Sequence, residues 1–176
     1  MKLIRELEEL QPEMQKWRRD IHAHPEIAFE EHRTSKIVIE KLKSFGIEVD
    51  SGIAGTGVVG TLKKGQGNRS IALRADLDAL LINETNDFDH KSKAPGKMHA
   101  CGHDGHTTML LGAAKYLSEH GDFDGTIHFI FQPAEENEGG GKVMVDEGLF
   151  EKYPVEAVYG MHNIPGMAVG TFAIKP

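Results

Sequence analysis

A single cysteine, Cys101, stands among the 176 residues, so no internal disulfide framework staples this chain, and the lone thiol suits a reducing compartment. No uninterrupted apolar stretch approaches the ~18 residues of a transmembrane helix, which leaves no membrane partner to expect. The opening residues, Met1 to Leu10, alternate charge with apolar side chains and lack the apolar core of a secretory signal. Positive charge is in deficit, with 20 Lys+Arg against 27 Asp+Glu, and a net charge of −7 argues against a nucleic-acid partner. Without secretion, the glycosylation patterns at Asn68-Arg69-Ser70 and Asn83-Glu84-Thr85 are chance matches. A cytoplasmic protein is the expectation. Internal repeats, low-complexity tracts and linkers are missing as well.

What is present suits one domain with a real core, at 39% hydrophobic and 27% charged residues. Leu3, Leu7, Leu10, Met14, Trp17 and Ile21 recur at spacings of three and four, one face of a long helix. Pro12 falls inside that stretch and predicts a break or kink near residue 11. Thr34 to Phe45 reads as a second helix with Gly46 just past its end. Thr107 to Glu119 is a third, with Met109, Leu110, Ala113, Ala114 and Leu117 as its core side, and Gly141 to Glu147 a short fourth. Strands are expected at Val58–Lys63, Ser70–Ala75, Thr126–Phe131, Ala157–Met161 and Ala168–Ile174, all rich in β-branched or aromatic residues between Gly, Pro or Asp. The alternation predicts an α/β layered domain.

Chemistry gathers at strand ends. Asp76 and Asp78 follow one predicted strand, Glu135 and Glu136 another, and His162 a third. Ligands of open α/β sheets bind outside the carboxyl ends of strands. The densest segment is His99-Ala100-Cys101-Gly102-His103-Asp104-Gly105-His106. Thiolate and imidazole are both transition-metal ligands, and a glycine between them lets one loop chelate an ion. Alone, Cys101 reads first as a small buried hydrophobe, and only the cluster with its neighbouring histidines tips it towards a metal ligand; Cys-x-His without a second pair is no zinc-finger spacing. Glu135 and Glu136 read either as a solvated acidic loop or as one metal ligand and one proton acceptor. Gly139-Gly140-Gly141-Lys142 lacks the remaining residues of a phosphate-binding P-loop, and no Gly-x-Ser-x-Gly elbow occurs.

Cys101-Gly102-His103-Asp104-Gly105-His106 and Gln132-Pro133-Ala134-Glu135-Glu136 together resemble the M20 family of metal-dependent amidohydrolases and peptidases, in particular its hippurate hydrolase and indole-acetyl-amino-acid hydrolase branch. Arg18 to Glu26, Leu73 to Leu80 and Gly160-Met161-His162-Asn163 support the resemblance, which runs nearly end to end. One departure is the absence of proline after Ala79-Leu80. The resemblance implies a zinc-exopeptidase-like catalytic domain, with helices on a mixed, mostly parallel sheet. It implies two divalent ions (Zn, Mn, Co or Ni), with Cys101 as bridging thiolate and His103, Glu136 and His162 as further ligands. Glu135 becomes the general base, Asp78 the residue that orients a ligand, and Asp76 a less defined neighbour. The implied reaction is attack of a metal-activated hydroxide on the amide bond of an N-acyl amino acid, a small-molecule substrate. His22 and His24 are expected to be structural beside the site, and His106 either supports the centre or does not. His32, His90, His120 and His128 are expected to be ordinary structural or solvated residues.

Members of the family are more than twice as long. The resemblance therefore implies that residues 1–176 are the N-terminal part of a catalytic domain, incomplete at the C-terminus. A lid or dimerisation domain and a C-terminal segment with one further ligand His would lie beyond it, and the full-length enzyme would be a homodimer. An inactive or partly metal-binding fragment is one alternative, and an M20 peptidase or diamino-acid deacylase another. The Cys101-x-His103 variant favours the amidohydrolase branch over relatives with Asp at the bridge.

Overall fold

The computed structural model describes residues 4–174; Leu3 of the first apolar stripe, and Lys175 and Pro176, lie outside them. Helix α1 (Arg5–Ala23) and helix α2 (His32–Ser44) come first. Strands β1 (Glu48–Ile53), β2 (Gly57–Lys64) and β3 (Ser70–Asp76) follow, then α3 (His103–His120) and β4 (Gly125–Gln132). Two short helices, α4 (Gly140–Asp146) and α5 (Leu149–Lys152), lead to β5 (Val158–Gly160). The five strands form one mixed sheet in the order β1-β2-β4-β3-β5. The pairs β1/β2 and β2/β4 are antiparallel, while β3/β4 and β3/β5 are parallel.

The register explains where the polar ends meet. Ala75 pairs with Phe131 and Asp76 with Gln132, so β3 and β4 finish side by side and pointing the same way. The loops carrying Asp78 and Glu135-Glu136 therefore leave from one edge. In β5, Gly160 pairs with Arg74, and His162 follows two residues later at that same edge.

Side-chain alternation splits the core into two layers. Val58, Ala75, Ile127, Phe129 and Phe131 face α1, α2 and α3, together with Trp17, Val38, Leu42 and Leu111. Val59, Ala72 and Ile130 face the other way, against Met144 of α4 and Leu149 of α5.

Several expectations are corrected. Helix α1 passes through Pro12 without a break. Proline forfeits one backbone bond there, and the apolar stripe of Leu10, Met14, Trp17 and Ile21 packs on the core on both sides of it. The stretch from Ala168 to Ile174 is no strand. Thr171 N–H closes a turn on Ala168 O, and Val169, Phe172 and Ile174 stand exposed with no neighbouring strand among the described residues. Strand β1 was not legible in the sequence because its pattern is polar, and α5 is too short to show a period. The buried side of α3 runs through Thr107, Leu110, Leu111 and Ala114, leaving Met109 exposed. The same helix begins at His103, one turn before the expected Thr107.

Phe129 sits at the centre of the larger core layer and is fully buried. Phe129→Ala is expected to cost about 3–5 kcal/mol, read from the shift of a denaturant unfolding curve. Met109→Ala, on the exposed side of α3, should stay within about 0.5 kcal/mol of the parent.

Candidate metal centre

The early start of α3 decides the site. Gly102 precedes the helix at φ +142°, and a Cβ there would collide with the Asn163 side chain, so the residue between Cys101 and His103 has to be glycine. His103 and His106, three residues apart, then share one face of the first turn, with ring centroids 5.5 Å apart. Thr107 ties that turn to the sheet by donating its hydroxyl to Asp76 O at 2.8 Å.

Asp78 stands behind His103. The imidazole Nδ1–H donates to Asp78 O at 2.8 Å and lies 3.2 Å from Asp78 Oδ1. That leaves Nε2 with its lone pair facing forward. Asp78 Oδ2 accepts the N–H of Glu136 at 3.0 Å, so one carboxylate ties the imidazole to the turn carrying the acidic pair. His103 Nε2 is 3.5 Å from Asp76 Oδ2, 3.6 Å from Glu136 Oε1 and 3.8 Å from Glu135 Oε2. Cys101 Sγ is 3.4 Å from His162 Nε2. The candidate ligand atoms of Cys101, His103 and His162 lie within 4.8 Å of one another, as do those of His103, Glu135 and Glu136.

Two buried atoms here have no hydrogen-bond partner among the described residues, His103 Nε2 and Glu136 Oε1. Unpaired buried polar atoms are costly, and three carboxylates converging on one imidazole nitrogen repel each other unless a cation, the protonated ring itself or a bound metal ion, sits among them. Bonds of about 2.0–2.3 Å place the ligands of a tetrahedral ion roughly 3.3–3.8 Å apart, which matches these separations. The donor set of thiol, imidazole and carboxylate suits a divalent transition metal.

The charges answer to their neighbours. Burial pushes the Asp76 carboxyl up, but the His106 hydrogen bond and the His103 and Arg74 charges outweigh it and hold it at about 2. Asp78 is likewise lowered against its burial, by His103 and by the N–H groups of Glu136 and Glu135. Burial works against the charged form of His103, yet Asp78 and Asp76 raise its pKa. Burial pushes the Cys101 thiol up to about 12, aided by the adjacent Glu136 carboxylate and by the other acids nearby.

All six residues singled out from the sequence converge here: Cys101, His103, Glu136, His162, Glu135 and Asp78. The structure adds others. His106 is occupied on both sides, Nδ1 lying 2.7 Å from Asp76 Oδ1 and Nε2 2.6 Å from Asn163 Oδ1. Arg74 donates to Asp76 Oδ2 at 2.7 Å and to Gln132 Oε1 at 2.6 Å. Behind the helix, His22 is 2.9 Å from Asp104 Oδ2 and 3.0 Å from Glu84 Oε1, and Arg18 reaches the same Asp104 oxygen at 3.2 Å. His22 thus has both ring nitrogens engaged by Asp104 and Glu84, while the partly exposed His24 bonds Asp20 O. His99, buried without a partner, has its pKa driven down to about 4 by burial. His128 pairs with Thr61 and His90 stacks on Phe88. Asp104 and Glu84 could not be picked out beforehand, because their partner lies on α1, remote in sequence.

A thiol raised to about 12 is almost wholly protonated at neutral pH. In the metal-free chain, iodoacetamide should modify Cys101 about 30- to 100-fold more slowly than an unhindered thiol, the scarcity of thiolate being partly offset by its greater nucleophilicity. The rate should climb with each pH unit from 7 to 10 without levelling, and Glu136→Gln should accelerate it; a plateau near pH 9 would contradict the shift.

Residues 72–176 match the family model of peptidase family M20/M25/M40. The chain is 53% identical over 175 residues to the hippurate hydrolase of Campylobacter jejuni, covering 99% of this chain and 45% of that protein. It is 50% identical to IAA-amino acid hydrolase ILR1-like 4 of Arabidopsis thaliana, over 87% of this chain and 34% of the relative. Among solved structures it superposes on the Bacillus subtilis YXEP protein, described as a dinuclear metal-binding peptidase, with a TM-score of 0.90 and 39% identity over 96% of this chain and 47% of that one. The chain thus spans about half the length, or less, of these relatives. No described helix is long and apolar enough to cross a membrane. With the fold, the converging donor set and these matches in agreement, the chain belongs to peptidase family M20/M25/M40.

Proposed function

We propose that this chain carries the metal-binding part of an enzyme that hydrolyses the amide bond of N-acyl amino acids, releasing a carboxylate and an amino acid. The observation that carries the reading is the unpartnered, buried Nε2 of His103, ringed by Asp76, Glu135 and Glu136 with Cys101 and His162 alongside. The names of the relatives, hippurate hydrolase and IAA-amino acid hydrolase, favour acyl groups such as benzoyl or indole-acetyl on the substrate.

Cys101, His103, Glu136 and His162 would hold two divalent ions, Zn, Mn, Co or Ni. Such ions polarise a carbonyl and acidify water. Asp78 fixes the tautomer of His103 by accepting from Nδ1, which leaves Nε2 free to ligate. Glu136 and Glu135 divide by exposure. Glu136 is the more buried and presents an unpartnered oxygen, as a ligand does. The Glu135 side chain is 40% exposed and can meet a substrate. As general base, Glu135 takes the proton of the attacking water and returns it to the leaving amine nitrogen.

In this reading the chain corresponds to the N-terminal part of a catalytic domain. A lid or dimerisation domain and a C-terminal catalytic segment belong to the full-length, cytoplasmic homodimer.

The test is hydrolysis of N-benzoylglycine by the protein carrying this chain, loaded with Mn²⁺ or Co²⁺. Glu135→Gln should lower kcat by about 10²- to 10⁴-fold while elemental analysis finds the metal content unchanged. Turnover that survives the substitution would remove Glu135 from the role of base.

A further inference from the structure

Glu31 lies outside the metal centre, just before α2, yet its side chain is completely buried. Its carboxyl group bridges two remote segments. Oε1 accepts the backbone N–H of Ala134 at 2.9 Å, and Oε2 accepts the hydroxyl of Thr56 at 2.6 Å. Ser35, in the first turn of α2, secures the Thr56 end: its N–H donates to Glu31 O at 2.9 Å, and its hydroxyl donates to Thr56 O. A buried carboxyl whose partners are an N–H and a hydroxyl, with no cation between them, is costly to retain. Burial accordingly raises its pKa.

The Ala134 end of the bridge is the informative one. Ala134 has φ +51°, a left-handed conformation that residues with a Cβ seldom adopt and that persists where the surroundings hold it. It is held at both ends of its peptide units, by Glu31 at its N–H and by the Gly140 N–H, which donates to its carbonyl at 2.8 Å. A Cβ on Gly140 would collide with Pro133 O, so the glycine is needed for that approach. The left-handed turn at Ala134 changes the chain direction immediately before Glu135 and Glu136.

We propose that Glu31 is a positioning residue of the metal centre: by holding Ala134 in its left-handed conformation, it sets where the Glu135 and Glu136 carboxylates stand relative to His103 Nε2. The proposal rests on the reading of these two glutamates as base and ligand.

Cobalt(II) titrated into the chain provides the test, with the thiolate-to-cobalt absorption of Cys101 reporting occupancy and circular dichroism reporting folding. Glu31→Met fills the same space without an acceptor. Glu31→Gln keeps an oxygen for Ala134 and an amide that can donate to Thr56 Oγ1. The Met variant should lose about 10- to 100-fold in cobalt affinity, the range found when partners behind a ligand are removed. The Gln variant should bind as the parent does. A purely structural role would lower the thermal stability of both variants and leave the cobalt affinity of the folded chain alone. Parent-like binding by the Met variant overturns the proposal, and so does a Gln variant that falls as far as Met, because charge rather than position would then matter. If the Met variant does not fold, Thr56→Val removes only the donor to Oε2 and should weaken cobalt binding in the same direction; unchanged affinity overturns the proposal. A parent chain that gives no thiolate-to-cobalt absorption at all overturns the metal-centre reading itself, and the role of Glu31 falls with it.

Discussion

The carboxylates of Asp76, Glu136 and Glu135 stand 3.5, 3.6 and 3.8 Å from a single ring nitrogen of His103, and the arrangement around them serves to keep that crowding in place. Three acids do not gather round one imidazole of their own accord. Their mutual repulsion in a half-buried setting has to be offset by folding energy from elsewhere, or by a cation that binds there. The larger core layer, centred on Phe129 and Phe131, supplies part of that energy.

The parallel pairing of β3 with β4 is how the sheet brings the acids together. With Asp76 opposite Gln132, the two acidic loops emerge beside each other, and α3 returns between the two strands in sequence with His103 on its first turn. Around this nucleus lies a layer of fixed contacts. Asp78 grips His103 and the Glu136 amide, Arg74 and His106 grip Asp76, and His22 with Arg18 grips Asp104 on the far side of the same helical turn. Each removes a degree of freedom from a side chain at the centre. Such preorganisation is what a metal site needs, because ligands held in place lose little entropy when the ion binds.

Much of the site was legible in the sequence because its donors occur as tight clusters. Cys101-Gly102-His103 and Glu135-Glu136 are adjacent residues, and their chemistry shows without a fold. The supporting residues were harder to read for the opposite reason. Glu31 meets Ala134 across 103 positions, and His22 meets Asp104 across 82. A single charged residue in an ordinary helical or loop context carries no sign of such a partner. The errors in the fold have a similar origin. Pro12 obeys a local rule that packing of the apolar stripe overrode, and Ala168–Ile174 has strand composition without a strand to pair with among the described residues. Polar β1 forms because β2 lies beside it.

The sequence alone determined the periodicities of α1, α2 and α3, the strand character of β2, β3 and β4, and the identity of the donors, since all of these follow from residue type and spacing within a few positions. Only the tertiary structure decided which donors face one another, which imidazole nitrogen is left free, and which acid is buried. It also decided that an alanine takes the left-handed turn ahead of the acidic pair. Those outcomes depend on strand register and on contacts between residues far apart in the chain. Local sequence does not encode these, because their energies arise only when the segments meet.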